Sequence, residues 1–384
     1  MNSQIEKMTP FIVMEILAKA QEMERKGIDV IHLEVGEPDF GAPLTVRESG
    51  IEALQQGHTF YTSALGMYDL RKEISDLYNR EFGLNVTPER VMVTSGSSLA
   101  LMMVCMLLLE KDSEAIITNP GYAPYRNFIL AQHARPVTVN LNPDNGFKLE
   151  VEDIRKAITP RTRAILVNSP MNPTGMVLDG EFLSELATLG VPVISDEVYH
   201  GLVYGEKAHS ILEYTDNAFV TNGFSKRFAM TGIRLGYVIA PEKYMPQLDM
   251  LHQNFALCAP SISQEMGVRA LQSLEAEAEV QRMHSMYDER RRYLMKRLPE
   301  IGLPPVTEPK GAFYIMVDAR KYTRDSYRFA YEILEKTHVG VTPGVDFGSQ
   351  GEGFLRISYA NKLEKIREAM DRLEQFLKNI KTDK

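Results

Sequence analysis

The sequence predicts an α/β protein: a mostly parallel central sheet in a large domain, with a smaller α+β domain attached. Three observations lead there. From about Leu70 onward, stretches of helical periodicity alternate with short β-branched runs, the pattern of a sheet covered by helices. The chain is 384 residues long, more than an ordinary single domain holds. After Gly302-Leu303-Pro304-Pro305 the character changes to a compact unit with its own strands and helices.

Taken in order, residues 1–45 form an N-terminal segment whose helix, over 11–26, is expected to pack on the small unit. The large domain is assigned residues 46–285. Within it Leu70, Ile74, Leu77 and Tyr78 share one helical face that Gly83 ends, and Thr87-Pro88 leads into a strand at 91–93. Further strands are expected at residues 115–117, 137–139, 164–167, 191–194, 219–221 and 235–239. The stretch 261–298 reads as one long charged amphipathic helix bridging two bodies. The small domain, residues 286–384, is expected to contain a strand at 312–317, a helix at 324–337, strands near 339–342 and 354–359, and a terminal helix.

Composition narrows the function. With 44% hydrophobic and 24% charged residues the chain matches a globular protein with a sizeable core. A net charge of −8 and a pI near 5.6 exclude a protein whose main task is gripping nucleic acid. The apolar run over residues 99–109 is too short to cross a bilayer, and the first residues lack a signal-peptide layout. No membrane association and a cytoplasmic location are therefore expected. Cys105 and Cys258 show no metal-type spacing, so no metal site is expected and both thiols are read as buried and structural.

Five places could carry chemistry. Ser95-Gly96-Ser97-Ser98 follows a strand and opens an apolar helix, a geometry that aims backbone amides at an anion; the alternative is a serine N-cap. No dinucleotide or triphosphate glycine motif occurs. Asp196 ends an apolar strand, where α/β sheets bind ligands, or else it caps a helix. Lys226, in Asn222-Gly223-Phe224-Ser225-Lys226, also follows a strand, with Arg234 eight residues on. A lysine with the ordinary pKa near ~10.4 is a poor nucleophile, and a carbonyl cofactor held as an imine solves this; otherwise it is a solvated loop residue. Asn172 sits in the loop Asn168-Ser169-Pro170-Met171-Asn172-Pro173-Thr174-Gly175, serving either a ligand or the turn. Arg356 alternates with apolar residues on a strand; facing inward, it would meet a carboxylate bidentately.

Together these are the parts that pyridoxal phosphate chemistry requires: an anion site, a carboxylate for the ring nitrogen, an imine-forming lysine and an arginine for a substrate carboxylate. The chain resembles a fold-type I pyridoxal-phosphate-dependent transferase, specifically a class I/II aminotransferase of the aspartate aminotransferase superfamily. The resemblance runs from Gly36-Glu37-Pro38-Asp39-Phe40 to Leu355-Arg356-Ile357-Ser358-Tyr359-Ala360. Its most specific piece is Ser225-Lys226 with Met230-Thr231-Gly232-Ile233-Arg234-Leu235-Gly236, joined by Asn172-Pro173-Thr174-Gly175 and Asp196-Glu197-Val198-Tyr199.

The resemblance implies pyridoxal 5′-phosphate as cofactor and amino transfer between an L-amino acid and a 2-oxo acid, through a Lys226 imine and a pyridoxamine phosphate form. By it Lys226 also shuttles the proton, Asp196 keeps the ring nitrogen protonated, and Tyr199 and Asn172 bond the cofactor's 3′-oxygen. Gly96, Ser97, Ser98, Ser225 and Arg234 hold the phosphate, and Tyr122 stacks on the ring. Arg356, with Asn172 and the Gly36 backbone, binds the α-carboxylate. Tyr61 matches a tyrosine that reaches across a homodimer to the partner's phosphate.

The chain departs from many relatives at Gly223, Arg227 and Ile233. No motif identifies a second basic residue for a side-chain carboxylate. The enzymatic alternative is a carbon–sulfur β-lyase on the same scaffold, since fold does not determine reaction. A ligand-sensing transcriptional regulator would need an added DNA-binding domain, and only about ten residues precede the first expected helix.

Overall fold

A computed structural model of the protein describes residues 4–380. Twelve strands occur in chain order among them: β1 (Ile31–His32), β2 (Val91–Thr94), β3 (Glu114–Asn119), β4 (Arg135–Asn140), β5 (Thr162–Asn168), β6 (Val193–Asp196), β7 (Ala218–Gly223), β8 (Gly236–Ile239), β9 (Tyr314–Asp318), β10 (Val339–Gly340), β11 (Thr342–Pro343) and β12 (Phe354–Ser358). The helices are α1 (Ile12–Arg25), α2 (Leu44–Gln55), α3 (Tyr68–Phe82), α4 (Ser97–Leu108), α5 (Pro124–Ala131), α6 (Val151–Ala157), α7 (Gly180–Ala187), α8 (Met245–Phe255), α9 (Ser261–Gln272), α10 (Leu274–Glu300), α11 (Ser326–Thr337) and α12 (Leu363–Asn379).

Seven strands form the main sheet in the order β2-β8-β7-β6-β5-β3-β4, parallel throughout except that β8 runs against both neighbours. The alternation of apolar residues explains its two covered faces. Ile165, Val167, Val193 and Val220 enter one core cluster, while Ala164, Leu166, Ile194 and Phe219 enter another, packed under α4 residues such as Leu101 and Val104. Because β2, β5, β6 and β7 run the same way, their carboxyl ends open onto one edge, where α/β sheets bind ligands.

A second, antiparallel sheet has the order β11-β12-β9, and β1 pairs with β10 beside it. Helix α1 lies against α11, β10 and β11.

Several expectations are corrected. The stretch 261–298 is two helices, not one: Ser273 adopts an extended backbone and its hydroxyl accepts the Ala276 N–H at 3.1 Å, ending α9 and capping α10. No proline marked this break, and the capping serine was its only signal. The strand expected at 191–194 begins at Val193, after Pro192, which has no N–H to give a ladder. The strand expected from 312 begins at Tyr314. Cys105 is buried as expected, but Cys258 is only half-buried. Helix α2 and strand β1 had not been anticipated.

Candidate active site

At the carboxyl edge of the main sheet lies a cavity of about 320 Å³. Its lining includes Gly36, Ser97, Ser98, Tyr122, Asn172, Asp196, Tyr199, Ser225, Lys226, Arg234 and Arg356, all singled out from the sequence.

One end is built for an anion. Gly96 has φ +88°, and a Cβ there would meet Arg234 Nη2 at 2.4 Å. Only glycine gives both the conformation and the approach. Opposite, a Cβ on Gly236 would meet the Ser97 amide nitrogen at 2.4 Å. The serine-cap alternative is overturned: the N-cap of α4 is Gly96, with no side-chain cap. Among the described residues the hydroxyls of Ser97, Ser98 and Ser225 have no partner, so they and the amides of the first turn of α4 stay available to a ligand. Arg234 is held by donating Nη1 to the Thr231 carbonyl at 2.8 Å.

Asp196, at the end of β6, is 4% exposed. No helix follows it, which removes the capping alternative. Its Oδ2 accepts from Tyr125 Oη at 2.6 Å and its Oδ1 from the Val198 amide at 3.3 Å. Burial pushes its carboxyl up to about 6, against the pull of Tyr125, Val198 and the Lys226 charge. A cationic ring nitrogen would return it to the ionised form.

Lys226 follows β7 and donates Nζ to the Gly36 carbonyl at 2.6 Å. Burial brings the amine down to about 8, with Arg356 and Arg234 adding to that and Glu37 and Asp196 opposing it. An amine so poised is neutral often enough at physiological pH to act as nucleophile and base.

Arg356, at the middle of β12, is 2% exposed and faces inward. Nη1 donates to Asn172 Oδ1 at 3.0 Å, while Nη2 donates to the Glu34 carbonyl and to Thr342 Oγ1 at 3.1 Å. The Tyr314 ring lies 4.2 Å from the guanidinium carbon. Among the described residues no carboxylate forms an ion pair with Arg356, and its Nε–H has no partner. A buried cation without a counter-ion is a site for an anionic ligand.

Tyr122 lies on the cavity wall and contacts Tyr125 edge-on at 5.2 Å. The Tyr199 and Tyr314 hydroxyls share a 2.8 Å hydrogen bond. Gly36 is glycine because a Cβ there would meet Tyr314 Oη at 1.8 Å. Tyr61 is not brought to this cavity; it lies on an exposed loop. The unusual Arg227 turns away onto Glu81 and Glu277, at 2.8 and 3.2 Å.

Sequence reasoning missed Tyr125, Tyr314, Thr231, Glu37, Phe11 at the N-cap of α1 and the α1 residues Val13 and Met14, all on the cavity wall. Tyr125 had a signal, since it lies one helical turn beyond Tyr122 behind Pro124. The contribution of α1 depends on how the N-terminal segment docks and had none.

The fold and site define an α/β protein whose sheet edge brings together an anion cradle at Gly96, a buried carboxylate, a lysine and a buried arginine without a counter-ion among the described residues. The model of the aminotransferase class I and II family matches residues 28–373. The (5-formylfuran-3-yl)methyl phosphate transaminase of Methanocaldococcus jannaschii is 40% identical over 96% of both chains. Aromatic-amino-acid aminotransferase 2 of Thermococcus litoralis is 35% identical over 99% of both. The Thermus thermophilus aspartate aminotransferase structure with maleate superposes with a TM-score of 0.93 at 35% identity, covering 98% of this chain and 99% of that one.

The chain belongs to the class I and II aminotransferases. It is a pyridoxal-phosphate-dependent enzyme that transfers an amino group between an amino acid and a 2-oxo acid. Each of these relatives is named for amino transfer, and none for carbon–sulfur elimination. The cradle at Gly96, the unpartnered hydroxyls, the buried acid and the part-buried lysine fit the cofactor.

Proposed function

We propose that the named cavity residues perform this transfer in the following roles. Gly96, Ser97, Ser98, Ser225 and Arg234 hold the cofactor phosphate, Tyr122 covers the ring, and Asn172 and Tyr199 bond its 3′-oxygen. Asp196 holds a proton on the ring nitrogen. When bound there, pyridoxal phosphate supplies a carbonyl carbon that takes and returns the amino group and a cationic ring that withdraws electrons. Lys226 Nζ carries the cofactor and then moves a proton at the substrate α-carbon. Arg356, oriented by Asn172 Oδ1, binds the α-carboxylate beside the Gly36 backbone.

The observation that carries this reading is the convergence of Lys226, Asp196 and Arg356 on one cavity, Asp196 and Arg356 buried and Lys226 part-buried, with none of the three in an ion pair among the described residues. Incubating holoenzyme with an amino acid and no acceptor tests it. About one oxo acid per active site, with no ammonia, is expected; continuous ammonia release would instead mean elimination.

The reading also divides the chain into an N-terminal segment (1–45), a large domain (46–285) and a small domain (286–384). The active unit is a homodimer in which the partner subunit's Tyr61 completes each phosphate site. Supporting this, Tyr61 and Phe60 are 80% and 82% exposed. Their loop is tied to the segment bearing exposed Phe255 and Leu257 through hydrogen bonds from His252 to the Ala64 carbonyl and from Ser261 to the His58 carbonyl. The reading places the enzyme in the cytoplasm, where the free thiols Cys105 and Cys258 stay reduced.

A further inference from the structure

We infer that the enzyme accepts amino acids with uncharged apolar side chains, aromatic or long aliphatic, and discriminates against acidic ones through a wall formed by the start of α1. This rests on the roles proposed above for Lys226, Arg234 and Arg356. Once those three are engaged, no lysine or arginine remains among the described residues lining the cavity. The other charged groups there, Glu37 and Asp196, have the same sign as an acidic side chain.

The N-terminal segment contributes an apolar part of the wall, Phe11, Val13 and Met14, with Val35. Three contacts locate it. Phe11 meets Tyr122 edge-on at 5.7 Å, at the face proposed for the cofactor ring. Asp346 accepts the Ile12 and Val13 amides at 2.8 and 3.2 Å, pinning the first turn of α1. The neighbouring Phe347 ring lies 5.0 Å from the Arg356 guanidinium carbon. The start of α1 therefore runs from the ring face to the carboxylate end, beside the path of a substrate held by Arg356. Asp346 adds a further negative charge behind it.

A partner subunit would not change the balance through the loop proposed to reach across. Residues 58–66 contain no lysine or arginine, and neither do residues 253–261, against which the loop is tied. A side-chain carboxylate entering this cavity would lose hydration and gain no cation, whereas an apolar side chain gains from leaving water.

The test compares donor kcat/KM for L-phenylalanine, L-leucine, L-aspartate and L-glutamate on the holoenzyme, read as oxo acid formed. Phenylalanine and leucine should exceed aspartate by at least roughly tenfold. Aspartate equal to or better than both would overturn the inference while leaving amino transfer intact, and no oxo acid from any donor would overturn both. Without turnover, calorimetry should show 3-phenylpropanoate binding roughly tenfold more tightly than succinate; equal binding counts against the apolar wall. Met14 is 51% exposed, so Met14→Arg should fold. It should raise the aspartate-to-phenylalanine ratio by roughly tenfold, and an unchanged ratio would show that α1 does not face the side chain.

Discussion

Asp196 and Glu197 are adjacent in sequence, both acidic and both buried, yet they face different parts of the molecule. Glu197 turns into the protein, where Oε1 accepts from Ser195, Ser210 and the Ile211 amide and Oε2 from Tyr78. Asp196 turns to the cavity with two donors. Burial raises both carboxyls, Asp196 to about 6 and Glu197 to about 8. What separates them is completeness: Glu197 is satisfied by the chain and ties β6 to α3 and to the short 3-10 turn over Ile211–Glu213 that Ser210 caps, whereas Asp196 still lacks a cation. A buried acid left short of a partner marks the ligand site, and one fully supplied marks the scaffold.

Asp196→Asn should produce the largest effect, a fall in kcat of roughly 10²–10³-fold with cofactor retained, because the proton on the ring nitrogen is no longer held. Unchanged turnover would make Asp196 as structural as its neighbour. Glu197→Leu should do the reverse. It leaves four donors without an acceptor and should lower stability by at least about 3 kcal/mol in a urea titration, with kcat per folded molecule largely kept.

Arg356→Lys extends the comparison to the cation that awaits a ligand. Lysine cannot make the planar bidentate pair, so kcat/KM should fall roughly tenfold to a hundredfold. An amine without the carboxylate should be spared. Equal losses for both would point to a packing defect beneath Tyr314.

The smallest effect concerns pH and the apoprotein. The folded Asp196 carboxyl, raised to about 6, binds its proton more tightly than the unfolded one near ~3.9. The unfolded chain therefore deprotonates first as pH rises, and this residue's contribution to stability falls between about pH 4 and 6 and stays low above. Apo Asp196→Asn should lack that decline and be more stable than apo wild type at pH 7 by about 2 kcal/mol. Parallel stability curves for the two proteins would contradict the assigned burial.

The comparison also explains what could be read from the chain. Asp196, Lys226 and the Gly96 turn were legible because each directly follows an apolar strand, and strand ends in α/β sheets converge. That Glu197 faces inward was not, since its partners Tyr78, Ser210 and Ile211 lie up to 119 residues away. Tyr314 escaped for the same reason: its meaning comes from stacking on Arg356 of the paired strand β12 and closing over Gly36, residues 42 and 278 positions away in sequence. The break at Ser273 was hidden because charged amphipathic periodicity continues through it, and only the backbone geometry separates α9 from α10.

Lys226, not another lysine, is expected to carry the cofactor in this cavity. Borohydride reduction of the holoenzyme followed by peptide mapping tests it most directly. One stable cofactor adduct on the peptide containing Lys226, absent from Lys226→Ala, is the predicted result. An adduct on a different lysine, or one that persists in Lys226→Ala, would contradict it.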